Sequence, residues 1–254
     1  MRAYQLHQPA SIEARPLIAS TLSVPEPVDH ELLLRVICCG VCHTDLHIVE
    51  GDLASKRLPI TPGHQVVARV EAIGSQATLY KIGDRVGVPW LHSTCGVCEY
   101  CRRGEENLCS AARFTGWDVD GGYAEYLLAE EDFIVPIPAN FSDFEAAPLL
   151  CAGIVGYRSI RLSDLKPGER LGIFGFGASG HIALHVAHFM NCPVEVFTRS
   201  EEHQSLAKAL GAEWAGRAED NPPQLLDRAI IFAPAGALVP VALKHIRKGG
   251  TLAI

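Results

Sequence analysis

Short apolar runs, broken by glycine and proline, fill the first half of the chain. HELLLRVICCG (30–40), HQVVARVEAIGS (64–75), GDRVGVPWL (83–91) and GYAEYLLA (122–129) have the composition and punctuation of strands, which predicts a mostly β domain. The texture changes near Ala152. ERLGIFGFG (169–177) has the pattern of a buried strand, and ASGHIALHVAHFMN (178–191) has helical periodicity. PVEVFT (193–198) and EEHQSLAKALG (201–211) repeat that strand–helix pair. DRAIIFAPAG (227–236), LVPVALKHIRK (238–248) and GGTLAI (249–254) then add strand, helix and strand. Such alternation predicts a parallel, doubly wound sheet. The expected organisation is a β-rich domain over 1–153 and an α/β domain over 154–254.

The chain has 254 residues, 48% of them hydrophobic and 20% charged, enough to bury a sizeable core. A net charge of -7 argues against a nucleic-acid partner, because neutralising phosphates needs clustered Lys and Arg. The N-terminal stretch has no apolar leader segment, and no apolar run is long enough to span a bilayer. These features predict a cytoplasmic protein without a membrane partner. Nine cysteines in a reducing compartment then read as metal ligands plus a few buried bystanders.

Cys95, Cys98, Cys101 and Cys109 are spaced C-x2-C-x2-C-x7-C. Four thiolates that converge on one ion make a closed tetrahedral shell, which marks structural zinc. An iron–sulfur run of the bacterial type would continue x3-C-P. Here the last gap is seven residues, and Ser110 follows Cys109. Chemistry must therefore lie elsewhere. GVCHTDLH (40–47) crowds a Cys, two His, a Thr and an Asp into eight residues, PGHQ (62–65) offers His64, and PLLCAG (148–153) offers Cys151. Cys42, His64 and Cys151 would make a shell of two thiolates and one imidazole with a position open, which suits catalytic zinc. Taken alone, Cys151 in an apolar run reads as packing more than as a ligand, and so do Cys38, Cys39 and Cys192; the joint pattern changes that for Cys151.

Gly175-Phe176-Gly177-Ala178-Ser179-Gly180 matches G-x-G-x-x-G between a strand and a helix, the context that a dinucleotide site requires. The pyrophosphate would sit at the positive helix N-terminus. A ribose-binding carboxylate is expected about twenty residues further on. Thr198 occupies that place, Arg199 follows, and Glu195 comes too early. With no carboxylate to repel a 2′-phosphate and a guanidinium nearby, NADP is favoured over NAD. The alternative is that Arg199 lies over the adenine of NAD.

These motifs, with DGGYAEY (120–126), resemble in kind and order those of the zinc-dependent alcohol dehydrogenases of the medium-chain dehydrogenase/reductase superfamily. The resemblance implies a GroES-like catalytic domain followed by a Rossmann domain. It implies two zinc ions per chain, a catalytic one on Cys42, His64 and Cys151 and a structural one on the four-cysteine lobe. It also implies hydride exchange between small alcohols, aldehydes or ketones and NAD(P)(H), in a homo-oligomer (dimer or tetramer) when full length. Thr44 and His47 would pass the alcohol proton toward water, and Asp45 would hold the free nitrogen of His64. His43 would join the coenzyme site, and Trp90 would line a substrate pocket that favours slim or flat apolar molecules. The plainer alternatives are a surface histidine for His47, a helix N-cap for Asp45 and core packing for Trp90. Gln65 stands where the family usually has Glu, a departure expected to tune turnover. A polyol or cinnamyl-alcohol-type dehydrogenase would share the metal sites. Family members run further than Ile254, so the expectation is an unfinished Rossmann sheet, poor NADPH binding and early aggregation. The alternative of another class is a non-catalytic nucleotide-binding fragment.

Overall fold

Apolar residues along the first half are buried in three clusters, the largest between the strands of one sheet. In the computed structural model, which describes residues 1–254, the chain divides into two units, Met1–Cys151 and Ala152–Ile254. The first begins with the antiparallel ribbon of β1 (Arg2–Leu6) and β2 (Leu17–Thr21). Then come β3 (Glu31–Gly40), α1 (His43–Glu50), β4 (Gln65–Ile73), β5 (Arg85–Val88) and β6 (Leu91–Ser93). The unit continues with α2 (Glu99–Arg102), β7 (Arg113–Phe114), β8 (Tyr126–Glu130), β9 (Val135–Pro136) and α3 (Asp143–Ala146).

Five of these strands form an antiparallel sheet in the order β8-β3-β4-β5-β9. Leu32 and Leu34 on β3 meet Val66, Ala68 and Val70 on β4 in its core. The β3–β4 register puts Gly40 opposite Gln65. That pairing brings the 40–47 and 62–65 segments, some twenty residues apart in sequence, to the same end of the sheet. Helix α1 starts there. The Asp45 carboxylate accepts the backbone N–H of its N-cap residue Cys42 at 2.9 Å. The helix stops at Gly51, whose left-handed backbone (φ +88°) sends its N–H back to the His47 carbonyl at 3.1 Å. Ile48 and Val49 anchor the helix against Leu6 and Ile60.

The second unit contains α4 (Ala152–Ser163), β10 (Leu171–Phe174), α5 (Ala178–Phe189), β11 (Val194–Phe197) and α6 (Glu201–Ala209). It ends with β12 (Trp214–Gly216), β13 (Leu226–Ile231), α7 (Leu238–His245) and β14 (Ile246–Ala253). The five parallel strands run in the order β12-β11-β10-β13-β14. Every residue of β10 and β11 is buried, as expected of strands covered on both faces. The chain winds outward from β10 to β12, then returns to the other side of β10. Its reversal lies beside β10, and open sheets of this kind bind nucleotides at that point. The architecture is thus an antiparallel GroES-like unit and a Rossmann-type parallel sheet.

Two elements differ from the sequence reading. The helix expected to reach residue 248 ends at His245, and β14 begins at Ile246. Ile246 pairs with Leu226, a register shift follows, and Gly249 adopts φ +78° before Thr251 pairs with Arg228. An irregular strand of this kind has no clean period to read. Helix α4 was not anticipated. It approaches the start of α5 through Gly156, where a Cβ would lie 2.9 Å from the Ser179 carbonyl.

Phe174 is fully buried and stacks on Phe197 with ring centroids 4.1 Å apart. Phe174→Ala should cost about 3–5 kcal/mol, read as a lowered urea midpoint. Phe189→Ser, at a ring that is 89% exposed, should stay within about 0.5 kcal/mol of the parent.

Candidate functional site

Asp45 is the centre of the first constellation. It is 2% exposed, and its carboxylate accepts three N–H groups: Cys42 at 2.9 Å, Gly63 at 3.2 Å and the His64 ring at 2.9 Å through Nδ1. That last bond makes Nδ1 the protonated nitrogen and leaves Nε2 with its lone pair. The Nε2 of His64 is buried and has no hydrogen-bond partner. Beside it the Cys42 and Cys151 sulfurs lie 3.8 Å apart, too far for a disulfide. All three ligand atoms fall within 4.8 Å of one another. Cys151 reaches this place from the end of a 3-10 turn over Ala147–Leu150.

The titration of this group follows its geometry. The neighbouring Cys151 thiol, donating to Cys42, pulls the Cys42 pKa down to about 3, and the pKa of Cys151 is driven up in turn. Burial alone would lower the pKa of His64, but the Asp45 hydrogen bond and Cys42 raise it to about 9. Thiolate and carboxylate charge thus favour a cation at His64 Nε2, a proton when no metal is bound or a metal ion that displaces it, and the donor set is matched to a borderline divalent cation. These residues fit zinc, with three protein ligands and no fourth in the donor set.

The lobe fits a different kind of site. Cys95–Cys101, Cys98–Cys101 and Cys95–Cys109 sulfur distances are 4.0, 3.4 and 3.6 Å. Four thiolates bonded to one zinc at about 2.3 Å stand about 3.8 Å apart. All four sulfurs lie within 4.8 Å of one another, and no fifth ligand position is evident in the donor set. Backbone N–H groups, Val97 first and then Cys98, hold the Cys95 thiol down to about 6.

Around the first constellation, Thr44 Oγ1 is 3.7 Å from Cys42 Sγ. His47 is partly exposed, with Nδ1 2.8 Å from Asp52 and its ring edge-on to the exposed His43 at 4.8 Å. Trp90 meets His64 edge-on at 4.9 Å and stacks with Phe114 at 5.1 Å and Trp117 at 6.0 Å. The Lys56 ammonium lies 4.6 Å over Trp117. Phe114 and Trp117 escaped the sequence reading, although FTGW (114–117) shows two rings three residues apart. Tyr123 escaped it as well. Its hydroxyl is buried without a partner, and burial, then Asp45, push its pKa up. Gln65 is buried and packs over Gly40.

In the second unit the turn after β10 shows why each motif glycine is there. Gly175 has φ +94°, and a Cβ on it would lie 2.8 Å from the Ala233 nitrogen. A Cβ on Gly180 would lie 2.8 Å from the Gly175 carbonyl. Gly177, the N-cap of α5, has open space around it, so a ligand can approach the backbone there. Phe176 is buried, and Ala178 and Ser179 open the helix. Thr198 follows β11, and its carbonyl accepts Gln204 Nε2 at 2.9 Å. Arg199 is exposed and takes part in none of the ion pairs.

Residues 28–139 match the alcohol dehydrogenase GroES-like domain family. A Mycobacterium tuberculosis protein named probable alcohol dehydrogenase AdhA is 49% identical over 100% of this chain and 75% of its own length. The chain belongs to the zinc-type alcohol dehydrogenases. Solved structures agree. The CAD from Helicobacter pylori complexed with NADP(H) superposes with a TM-score of 0.90 at 26% identity, over 99% of this chain and 74% of that one. The cobalt- and zinc-bound alcohol dehydrogenase from Pyrobaculum aerophilum gives 0.88 at 25%, over 99% and 76%. The chain is therefore an oxidoreductase of the medium-chain superfamily, and zinc and NAD(P) dependence fit that family. No helix is long and apolar enough to cross a membrane.

Asp45→Ala would strip the acceptor from three donors, each worth about 1–3 kcal/mol when left unpaired in the interior. It should lower stability by more than about 3 kcal/mol in denaturant unfolding, and Asp45→Asn, which keeps one oxygen, by clearly less.

Proposed function

We propose that Cys42, His64 and Cys151 hold a catalytic zinc ion, that Cys95, Cys98, Cys101 and Cys109 hold a structural one, and that the enzyme prefers NADP(H). The buried, unpartnered Nε2 of His64 beside two close sulfurs supports this reading most strongly. When bound, the open-site zinc would act as a Lewis acid on the substrate oxygen, with the nicotinamide coenzyme exchanging the hydride.

The chain's own residues supply the rest. Asp45 fixes the His64 tautomer and ring orientation. The Thr44 hydroxyl can accept and donate in one step, so it takes the proton of the substrate hydroxyl. His47, one helical turn on and held by Asp52, exchanges that proton with water. Trp90, backed by Phe114 and Trp117, gives the substrate a flat apolar wall. In the second unit the turn 175–180 serves the coenzyme, and the exposed Arg199 serves its 2′-phosphate. Nine free thiols suit a reducing compartment, and a homo-oligomer in the cytoplasm is the assembly this reading carries.

Elemental analysis of protein freed of excess, loosely bound metal should find two zinc ions per chain and no iron. Cys95→Ser should lower the melting temperature more than Cys42→Ser, because a closed structural site contributes folding free energy. Cys42→Ser should abolish turnover first. The reverse order would reject the partition.

Purified protein should oxidise NADPH when given benzaldehyde, and no turnover with any aldehyde would count against the proposal. Arg199→Ala should weaken NADPH roughly ten- to a hundredfold, the loss of one charge-assisted contact, and leave NADH nearly unchanged. Equal weakening of both coenzymes would remove the phosphate role.

A further inference from the structure

Three histidines of the second unit lie outside both cysteine constellations. His181 is the fourth residue of α5, directly after the glycine motif, and His185 follows one turn later on the same side of the helix. His203 is the third residue of α6. Right-handed crossovers put α5 and α6 on one face of the sheet. The rings of His181 and His203 lie 6.4 Å apart between centroids. The Phe176 ring meets His181 edge-on at 4.4 Å and seats it. His188, a turn further on, is already used. Its ring covers Gly211, where a Cβ would lie 2.6 Å from Cε1.

The Nε2 of His181 is buried and has no hydrogen-bond partner. Among the buried side-chain atoms left unpaired, one other is a histidine Nε2, that of His64. Burial first, and then the neighbouring His203 and His185, lower the pKa of His181. The ring is therefore kept neutral, with a lone pair to offer. An anion site would need the opposite, an imidazolium. Neutral imidazoles suit zinc, copper and nickel. Histidines at i and i+4 of one helix are an established zinc-binding spacing.

We propose that His181, His185 and His203 form a third metal site, taking a borderline divalent ion such as zinc through three imidazoles, with water completing the shell. Two imidazoles on one ion, each bonded at about 2 Å, have centroids about 5–6 Å apart. The His181 and His203 rings stand 6.4 Å apart, and the three imidazoles, whose ligand atoms do not yet lie within 4.8 Å of one another, would close on an ion by side-chain rotation. His185 is exposed and free to swing in. The ion would tie together the first turns of two helices. The proposal does not depend on how the cysteine sites are assigned.

The test is calorimetric titration of the zinc-loaded protein, freed of excess metal, with zinc chloride alone. One further ion per chain should bind. His185→Ala and His203→Ala should each weaken that step at least tenfold, and the double variant should lose it. Zinc held at the cysteine sites, followed by elemental analysis, should not change. Absence of a further binding step, or a step untouched in the double variant, would overturn the site. So would a result in which the variants weaken NADPH or inorganic phosphate and leave zinc uptake intact, because the cluster would then serve an anion.

Discussion

A buried carboxylate has to be satisfied, and the way Asp45 is satisfied organises the first unit. Its oxygens take N–H groups from the start of α1, from the turn before β4 and from the His64 ring. One side chain thereby locks together two segments that share an end of the sheet through the Gly40–Gln65 pairing. Buried negative charge at this point also explains the rest of the site. It sets the imidazole tautomer, leaves Nε2 without a partner, and makes a cation welcome beside two sulfurs. Helix capping and site chemistry meet in this side chain: the N-cap residue is Cys42, not Asp45, and Asp45, at the third helical position, closes the capping box while it holds the His64 ring.

The cysteine constellations separate shape from chemistry. The lobe brings four sulfurs to similar distances within one loop, a donor set that would fill a tetrahedral shell by itself. The other constellation gathers its donors from three distant segments beside a shelf of stacked rings, with only three protein ligands. In the second unit the division is similar. Strands β10 and β11 are wholly buried scaffold. The turn after β10 carries one strained glycine, one tightly packed glycine and one with open space beside it. That difference, and not the motif alone, is what leaves the backbone open to a ligand at Gly177.

Much of this was legible in the sequence because the signals are local. Apolar runs with glycine punctuation gave the strands, and fixed spacings gave the cysteine lobe and the glycine turn. The donors Cys42, His64 and Cys151 were legible only as a joint pattern, since each alone reads as packing. Contacts made by the fold were not legible. Phe114 joins Trp90 through the β6–β7 ribbon, and His203 approaches His181 through the packing of two helices. The start of β14 was hidden because a register shift and Gly249 erase the period that would separate it from α7. The 254-residue chain spans three quarters of the length of the M. tuberculosis relative, and the Asp45 constellation lies wholly within the matched part.

The central claim is that Asp45 holds Nδ1–H of His64 so that Nε2 can take a metal. Nitrogen-15 NMR of the histidine-labelled, zinc-loaded protein reads both ring nitrogens directly, with His64→Gln supplying the assignment. The account predicts that His64 keeps its proton on Nδ1, bonded to Asp45, while Nε2 moves into the metal-bound range and returns when the zinc is chelated. A His64 ring protonated on Nε2 in the zinc-loaded protein, or one whose Nδ1 responds to the metal instead, would contradict it.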